Sequence, residues 1–399
     1  MSERLTPFSK QELLPLEERL ELSSSQQSLT IGIPKESEAN ENRVCLSPEA
    51  VYTLSCHNHK VLIESGAGDN SNYSNEEYSL AGAEITSNRA KVFGSSIVLK
   101  VNPPTMEEIA WLNEKSILIS ALQLKTQSAQ YFKALSKRKV TALAYEFIQD
   151  DSGAFPIVRQ LSEIAGNASS LIAAEFLGDT KFGKGMLLGN ICGVAPTEVV
   201  VIGAGTAGFF AAQSAIGLGA SVKIFDHSPI KLRRVKSKLG HNVYTVALQQ
   251  KSLKQALLSC DVAIGAVRGK NRAPILVDED TVRQMKAGSV IIDISIDMGG
   301  NFETSEVTSH QKPVIVKHGV IHYGVTNIPS RYAQTASTAM SNLLTPYLID
   351  IAQNGGLEQA IRFNRSLKTG LYCYHGVWTN PSVCKWFDLD YKDPNLFIF

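Results

Sequence analysis

A glycine-rich turn after an apolar run is the stretch of this sequence whose chemistry is clearest. The run Val199–Ile202 is followed by Gly203, Gly205 and Gly208, in the spacing Gly-x-Gly-x-x-Gly. Gly203 permits a tight turn, Gly205 lets a pyrophosphate approach the backbone, and Gly208 lets a helix pack closely on a strand. The order of strand, turn and helix therefore predicts a phosphate-binding βα unit.

An acidic residue stands where a dinucleotide-binding unit needs one. A second apolar run ends at Asp226, 18 residues after Gly208. A carboxylate there would bind the adenosine ribose hydroxyls and repel a 2′-phosphate, which favours NAD over NADP. Lys231 follows closely and is expected near the same ribose. With the free helix N–H groups at Thr206 and Ala207, these residues predict an NAD site.

The bulk composition limits the class of protein. The 399 residues include 39 Lys and Arg against 38 Asp and Glu, which argues against a nucleic-acid surface. No apolar run is long enough to span a membrane, and the polar N-terminus lacks the apolar core of a signal peptide. The six cysteines are scattered without metal-ligand spacing. They predict free thiols, no metal site and a cytoplasmic location.

Apolar runs alternate with helical patterns along most of the chain, which predicts an α/β fold of two domains with parallel sheets. Ser47 and Pro48 have the types expected for the cap and first position of a helix. The small-residue segment Ser162–Phe176 predicts a helix that joins the domains, and Thr335–Ala352 predicts a long helix that returns to the first one. A short helix is expected at Glu12–Leu22. Strands are predicted at Leu29–Ile33, Lys60–Glu64, Ser96–Val101, Ser116–Ala121, Thr141–Tyr145, Val243–Thr245, Asp261–Val267, Ser289–Ile294 and, as the last one, Val320–Val325.

Several segments resemble the alanine dehydrogenase family, in collinear order over about residues 29–370. They are IGIPKESEANENRVCLSP (31–48), ESGAG (64–68), IVLKVNPP (97–104), LSEIAGNASS (161–170), VVVIGAGTAG (199–208), IIDISIDMGGNFETS (291–305) and YGVTNIPS (323–330). That family shares its fold with the NAD-binding part of the proton-translocating nicotinamide nucleotide transhydrogenase.

The resemblance implies two Rossmann-like, doubly wound domains with a cleft between them. An NAD-binding domain (161–332) would be inserted into a substrate domain (29–160 and 333–399), with residues 1–28 as an N-terminal extension. Family members are oligomers, so a homo-oligomer between a dimer and a hexamer is expected.

The resemblance also implies roles for residues outside the glycine-rich turn. Arg43 corresponds to the arginine that binds the substrate carboxylate, and Lys100 to the lysine that contacts a substrate oxygen. Asp297 corresponds to the aspartate beside the nicotinamide ribose, where it could also handle protons. Asn327 corresponds to an asparagine near the nicotinamide and the substrate, and Ser162 to a serine that reaches the cofactor phosphates. Without the resemblance, Ser162 could simply cap the following helix.

Gln123 departs from the pattern of the family. Alanine-oxidising members carry a histidine acid/base in this segment, whereas this chain has Ile119-Ser120-Ala121-Leu122-Gln123-Leu124. A glutamine can hydrogen-bond a substrate oxygen but does not titrate near neutral pH. His322, on a predicted strand, could replace the missing imidazole, or it could be packed in the core. Otherwise Asp297, Lys100 or a water takes the acid/base role, or the activity differs from that of the alanine-oxidising members.

Three functions fit these observations. The first is NAD-dependent oxidative deamination of L-alanine to pyruvate and ammonia, in which the partner is a small amino acid. The second is a related dehydrogenase of another amino or imino acid, such as a saccharopine-type enzyme. The third is a soluble NAD(H)-binding, transhydrogenase-like subunit without deaminase activity.

Overall fold

The computed structural model describes residues 28–38, 40–269 and 272–396. The predicted helix at Glu12–Leu22 lies outside these residues. The strands are β1 Thr30–Ile33, β2 Lys60–Glu64, β3 Glu84–Thr86, β4 Ile97–Leu99, β5 Ile117–Ser120, β6 Thr141–Ala144, β7 Glu198–Ile202, β8 Ser221–Asp226, β9 Val243–Ala247, β10 Val262–Gly265, β11 Val290–Asp293, β12 Val314–Lys317, β13 Val320–Tyr323, β14 Leu371–Tyr374 and β15 Val377–Trp378.

The α-helices lie between and around these strands. They are α1 Pro48–Cys56, α2 Asn75–Leu80, α3 Arg89–Phe93, α4 Met106–Trp111, α5 Ala129–Lys137, α6 Pro156–Gly178, α7 Thr206–Gly217, α8 Pro229–Leu239, α9 Gln250–Ser259, α10 Glu279–Arg283, α11 Ala333–Gln353, α12 Leu357–Phe363, α13 Arg365–Gly370 and α14 Pro381–Phe387.

The strands form two sheets, each wound outward in both directions from a central strand. The first sheet has the order β15-β14-β6-β5-β4-β1-β2-β3, and the second has the order β12-β13-β11-β10-β7-β8-β9. Pairing is parallel except at β14 and β15 in the first sheet and at β12 in the second. Strands such as β6 and β10 are buried on both faces, as parallel strands covered by helices must be. The predicted fold class is confirmed.

Two long helices join the sheets. Helix α6 carries the chain from the first sheet to the second, and α11 brings it back. The small residues of α6 allow a close approach, because a Cβ atom at Gly166 would lie 2.3 Å from the carbonyl oxygen of Ala207 in α7. The predicted boundary at 160/161 falls inside α6, and the exact domain limits stay a prediction.

Several local expectations agree with the structure. Ser47 caps α1, with its hydroxyl accepting the N–H of Ala50, and Pro48 is the first helical residue. The strand at Lys60–Glu64 has the predicted limits. All six cysteines are free.

Other expectations were wrong. Helix α6 begins at Pro156, so Ser162 does not cap a helix; its hydroxyl donates to the Val158 carbonyl inside α6, at 2.7 Å. Val320–Val325 is not the last strand, since β14 and β15 follow it. Strand β12 was also missed. It pairs antiparallel with β13 through a two-residue hairpin turn, in which His318 and Gly319 have positive φ angles of 53° and 75°.

No helix within the described ranges is long and apolar enough to cross a membrane. The same ranges hold no cluster of three or more His, Cys, Asp or Glu side chains suited to a metal ion.

The contact between α6 and α7 predicts a stability effect. Gly166→Ala places a Cβ atom against the backbone of the first turn of α7. We expect it to lower the free energy of unfolding by about 1–3 kcal/mol, because packed helices must separate to admit it. Urea unfolding measures the change. The matched control is Gly217→Ala in α7, where a Cβ atom meets nothing within 4 Å and stability should hold or rise. Equal effects at the two glycines would contradict the prediction.

Candidate functional site

The glycine-rich turn lies between β7 and α7, at the carboxyl edge of the second sheet. Gly203 has a φ of +109°, which favours glycine, and a Cβ atom on it would lie 2.7 Å from the Ala266 carbonyl oxygen. A Cβ atom at Gly208 would lie 1.8 Å from the Gly203 carbonyl oxygen. These two glycines are therefore required by the packing of the protein itself.

Gly205 differs from both, because a Cβ atom there would meet no protein atom within 4 Å. It precedes α7, which begins at Thr206 and has no side-chain cap. The first N–H groups of the helix, including those of Thr206 and Ala207, are free to bind an anion. Open space in front of a bare helix N-terminus suits the pyrophosphate of NAD.

Asp226 ends the adjacent strand β8 and lies beside the same turn. Its carboxylate accepts the backbone N–H of Ala204 and of Ser228, each at 2.7 Å. The Lys231 ammonium is 4.0 Å from Asp226 Oδ2. The two backbone bonds hold the carboxylate at the strand end, where the adenosine ribose of an NAD molecule would lie.

Arg43 lies in the other half of the cleft, in the segment after β1. Its Nε and Nη2 donate to the two oxygens of Glu41 at 2.7 and 2.6 Å, and both side chains are nearly fully buried. The Asn327 amide donates to Glu41 Oε2 at 2.9 Å. Burial acts to lower the pKa of Arg43, but the Glu41 carboxylate outweighs it and raises that pKa. Arg43 is therefore a fixed cation, and its Nη1 has no hydrogen-bond partner among the described residues.

Lys100 follows β4 and has an exposed fraction of only 1%. Its Nζ donates to Glu36 Oε2 at 2.6 Å and lies 3.9 Å from Glu108 Oε2. Glu36 also accepts the N–H of Val101 at 2.6 Å. Burial raises the pKa of Glu36 to about 7, and the Lys100 ammonium opposes that rise.

Asp297 comes from the opposite sheet, in a 3₁₀ turn after β11. Burial by surrounding protein raises the pKa of its carboxyl although 45% of the side chain remains accessible; Arg268, at 3.9 Å, opposes the rise. Next to it, Met298 Sδ accepts from Lys125 Nζ at 3.1 Å. Because Lys125 belongs to the first sheet's half of the chain, this contact crosses the cleft and brings Asp297 opposite the Arg43 and Lys100 side.

Gln123 lies just after β5 on that same side. Its Nε2 donates to Asn102 Oδ1 at 2.9 Å, and its backbone has a φ of +48°. The Glu146 carboxylate accepts the N–H groups of Leu122 and Gln123, at 2.8 and 3.1 Å. The amide of Gln123 is thus held by Asn102, which comes two residues after Lys100 in the segment that follows β4.

His322 does not lie at the cleft surface. It is 1% exposed within β13, where Nε2 bonds the Thr304 hydroxyl at 2.7 Å and Nδ1 bonds the Val320 carbonyl oxygen at 3.0 Å. Burial lowers the pKa of His322 to about 4, so the ring is neutral at pH 7. Both ring nitrogens have internal partners, and this placement opposes the hypothesis that His322 replaces the missing imidazole.

The structure adds partners that the sequence interpretation missed. Glu41 and Glu36 hold Arg43 and Lys100, whereas Glu146 and Asn102 hold Gln123. The acidic residues near Arg43 were visible in the sequence, but only burial distinguishes a partner from a solvated neighbour. Ser162, by contrast, bonds only its own helix and stays a prediction as a phosphate contact.

Comparisons with known proteins identify the family to which the two halves of the chain are similar. Family models match at residues 32–165 (Alanine dehydrogenase/PNT, N-terminal domain) and 169–381 (Alanine dehydrogenase/PNT, C-terminal domain). The chain is 40% identical over 366 residues to alanine dehydrogenase 2 of Staphylococcus aureus strain USA300, which covers 91% of this chain and 98% of that protein.

The chain is also similar to solved structures of the same family. An L-alanine dehydrogenase is 34% identical with a TM-score of 0.85, covering 90% of this chain and 99% of its own. A transhydrogenase from Sinorhizobium meliloti is 25% identical with a TM-score of 0.76, covering 88% and 99%.

The open space at Gly205 predicts a selective binding defect. Gly205→Ala adds a methyl group that meets no protein atom but occupies the space in front of the α7 N-terminus. We expect the Kd for NADH to rise roughly tenfold, since one phosphate bond to a backbone N–H is lost or lengthened. Fluorescence titration measures the Kd, and thermal unfolding without NADH should be unchanged. Gly217→Ala, at the other end of α7, is the control; unchanged affinity in Gly205→Ala would place the phosphates elsewhere.

Proposed function

The chain belongs to the alanine dehydrogenase/PNT family, and from this premise we propose that it catalyses the NAD-dependent oxidation of L-alanine to pyruvate and ammonia, and the reverse reaction. One observation carries the proposal beyond family membership. A fixed guanidinium and a buried ammonium, on Arg43 and Lys100, lie on the side of the cleft that faces Asp297 and the nucleotide-binding sheet.

The reaction requires that a hydride leaves the substrate α-carbon while the amine loses a proton, and that water then replaces nitrogen to give the keto acid. NAD, when bound, supplies the hydride acceptor. Arg43 would bind the substrate carboxylate through Nη1, because Glu41 occupies Nε and Nη2. Lys100 would polarise the oxygen that becomes the keto group, and its burial strengthens that effect.

Protons must be moved by a group other than Gln123. We assign the acid/base role to Asp297, whose raised pKa brings it closer to neutral pH than an ordinary aspartate. Its carboxylate lies 3.9 Å from Arg268 and remains 45% exposed, which supports a contact with both the nicotinamide ribose and the substrate. Asn327 would help to orient Arg43 through its hydrogen bond to Glu41, and it would also lie near the nicotinamide. His322 is assigned to packing.

The direct test is turnover of L-alanine by the purified protein. Addition of L-alanine and NAD should generate NADH absorbance, and pyruvate with ammonia should consume it. Turnover of a different amino acid, with none of L-alanine, would favour a related dehydrogenase. NADH binding without turnover of any amino acid would favour the transhydrogenase-like alternative, which the likeness to the Sinorhizobium meliloti protein supports.

We further propose a cytoplasmic homo-oligomer. The free thiols support a reducing compartment. Exposed apolar side chains on the loop before β7 support an interface, and they are Phe182, Leu187, Ile191 and Val194. Light scattering gives the subunit number, and a monomer at micromolar concentration would exclude the oligomer.

The Arg43 assignment predicts a substrate-binding defect. Arg43→Lys keeps the charge but loses the planar fork that holds Glu41 and the substrate carboxylate together. We expect kcat/KM for L-alanine to fall roughly 30-fold or more, with the Kd for NADH within about twofold. Arg159→Lys is the control, because that side chain is 60% exposed on α6. Full activity in Arg43→Lys would exclude the carboxylate role.

The raised pKa of Glu36 predicts that kcat/KM for L-alanine depends on pH near neutrality. As pH rises through about 7, the carboxyl of Glu36 ionises and strengthens its bond to the Lys100 ammonium, which orients that ammonium. We expect kcat/KM for L-alanine to rise across this range. Glu36→Gln cannot ionise, so its pH profile should lack the inflection near 7. Glu76→Gln, exposed on α2, is the control. An inflection retained in Glu36→Gln would assign the titration to another group.

A further inference from the structure

Gln123 is held in a backbone conformation that a glutamine rarely adopts. Its φ of +48° and ψ of 56° are left-handed, which costs roughly 1 kcal/mol for a residue with a side chain. A single oxygen of Glu146 compensates by accepting two successive N–H groups, those of Leu122 and Gln123. The other oxygen of Glu146 is buried and has no hydrogen-bond partner among the described residues. Glu146 is therefore placed to fix this turn.

The side chain of Gln123 is oriented by a chain of hydrogen bonds that starts at a carboxylate. Glu38 Oε2 accepts from Asn102 Nδ2 at 3.0 Å, and a carboxylate can only accept. Asn102 must therefore present Oδ1 to its other neighbour, and it accepts from Gln123 Nε2 at 2.9 Å. Gln123 is left with its carbonyl oxygen, Oε1, as the end of the amide that has no partner within the described parts of the chain.

The uncommitted oxygen lies on the wall of the proposed substrate site. Asn102 is two residues after Lys100, and its N–H is 3.4 Å from the Glu36 oxygen that binds Lys100. Lys125, two residues after Gln123, contacts Met298 beside Asp297. The Gln123 side chain is itself exposed and not packed in the core, which leaves its Oε1 accessible to a ligand.

We propose that Gln123 recognises the substrate nitrogen, and that Glu38, Asn102 and Glu146 are positioning residues for it. An amide oxygen accepts hydrogen bonds and donates none, so it matches an ammonium, amine or imine N–H and not a keto oxygen. The sequence had suggested that Gln123 holds a substrate oxygen, but one N–H of its amide is bonded to Asn102, and the amide atom without a partner among the described residues is the acceptor Oε1. The inference rests on the proposed function and deepens it: Gln123 binds nitrogen without transferring protons.

The test separates nitrogen binding from keto-acid binding in the reductive direction. Gln123→Leu keeps the approximate volume and removes the acceptor. We expect the KM for ammonia to rise roughly tenfold or more, because a hydrogen bond to a charged or strongly polar donor is lost. The KM for pyruvate and the Kd for NADH should change by less than about twofold. A general distortion of the cleft would instead change all three constants, and a loss of folding would lower the maximal rate without changing them.

Glu38→Gln tests the orienting chain without touching the substrate contact. A glutamine at 38 can donate or accept, so both amides can turn over and Gln123 can present Nε2 instead of Oε1. We expect a smaller rise in the KM for ammonia, with the KM for pyruvate unchanged or lower. Glu76→Gln is the matched control, because it is an exposed glutamate on α2 with no role in the cleft.

The possible outcomes are distinct. Equal changes in the KM for ammonia and pyruvate in Gln123→Leu, or no change in either, would overturn the assignment while leaving the proposed function in place. Absence of turnover by the unmodified chain with any amino acid would instead overturn the proposed function, and this inference with it. A selective effect on ammonia in both Gln123→Leu and Glu38→Gln supports the whole chain of hydrogen bonds.

Discussion

The buried ion pair between Arg43 and Glu41 is the interaction on which the cleft depends. Neither charge can be removed alone, because a buried ion without its partner is strongly destabilising. Asn327 joins the pair from the other half of the chain, and its left-handed turn is held by the bond from the Ser330 N–H to its carbonyl oxygen. One salt bridge thus orients the guanidinium and links the segment after β1 to the segment after β13.

The segment after β1 is also held by hydroxyl groups near and within α11. The N–H groups of residues 42, 44 and 47 donate to the hydroxyls of Ser330, Ser337 and Ser341 at 2.8–3.0 Å. These N–H groups have left the sheet and would otherwise be buried without partners. Serine is small enough to let the segment lie against the helix, and its hydroxyl accepts the hydrogen bonds of these N–H groups. The returning helix therefore positions Arg43 although it contributes none of the charged groups at the site.

Prediction from sequence succeeded where the structure is local and failed where distant segments meet. Ser47 and Pro48 determine the start of α1 by themselves, and the apolar run at Lys60–Glu64 has strand limits that follow from its flanking residues. Strand β14 is only four residues long and pairs antiparallel with β6, over 200 residues earlier, so its sequence carries no alternation that marks it as a strand. The placement of His322 was equally hidden, because a strand residue does not reveal whether its face is core or cleft.

The NAD half of the site was determined by the sequence itself, since strand, glycine turn, helix and acidic strand end are contiguous from Glu198 to Asp226 and their geometry is local. The family resemblance then predicted roles for Arg43, Lys100 and Asp297, but not their burial or their hydrogen-bond partners. Only the tertiary structure decided that Glu41 and Glu36 bind the two cations, and that Gln123 keeps its oxygen free. Those properties depend on burial and on partners far apart in the chain, which hydrogen-bond only after both sheets have folded around the cleft.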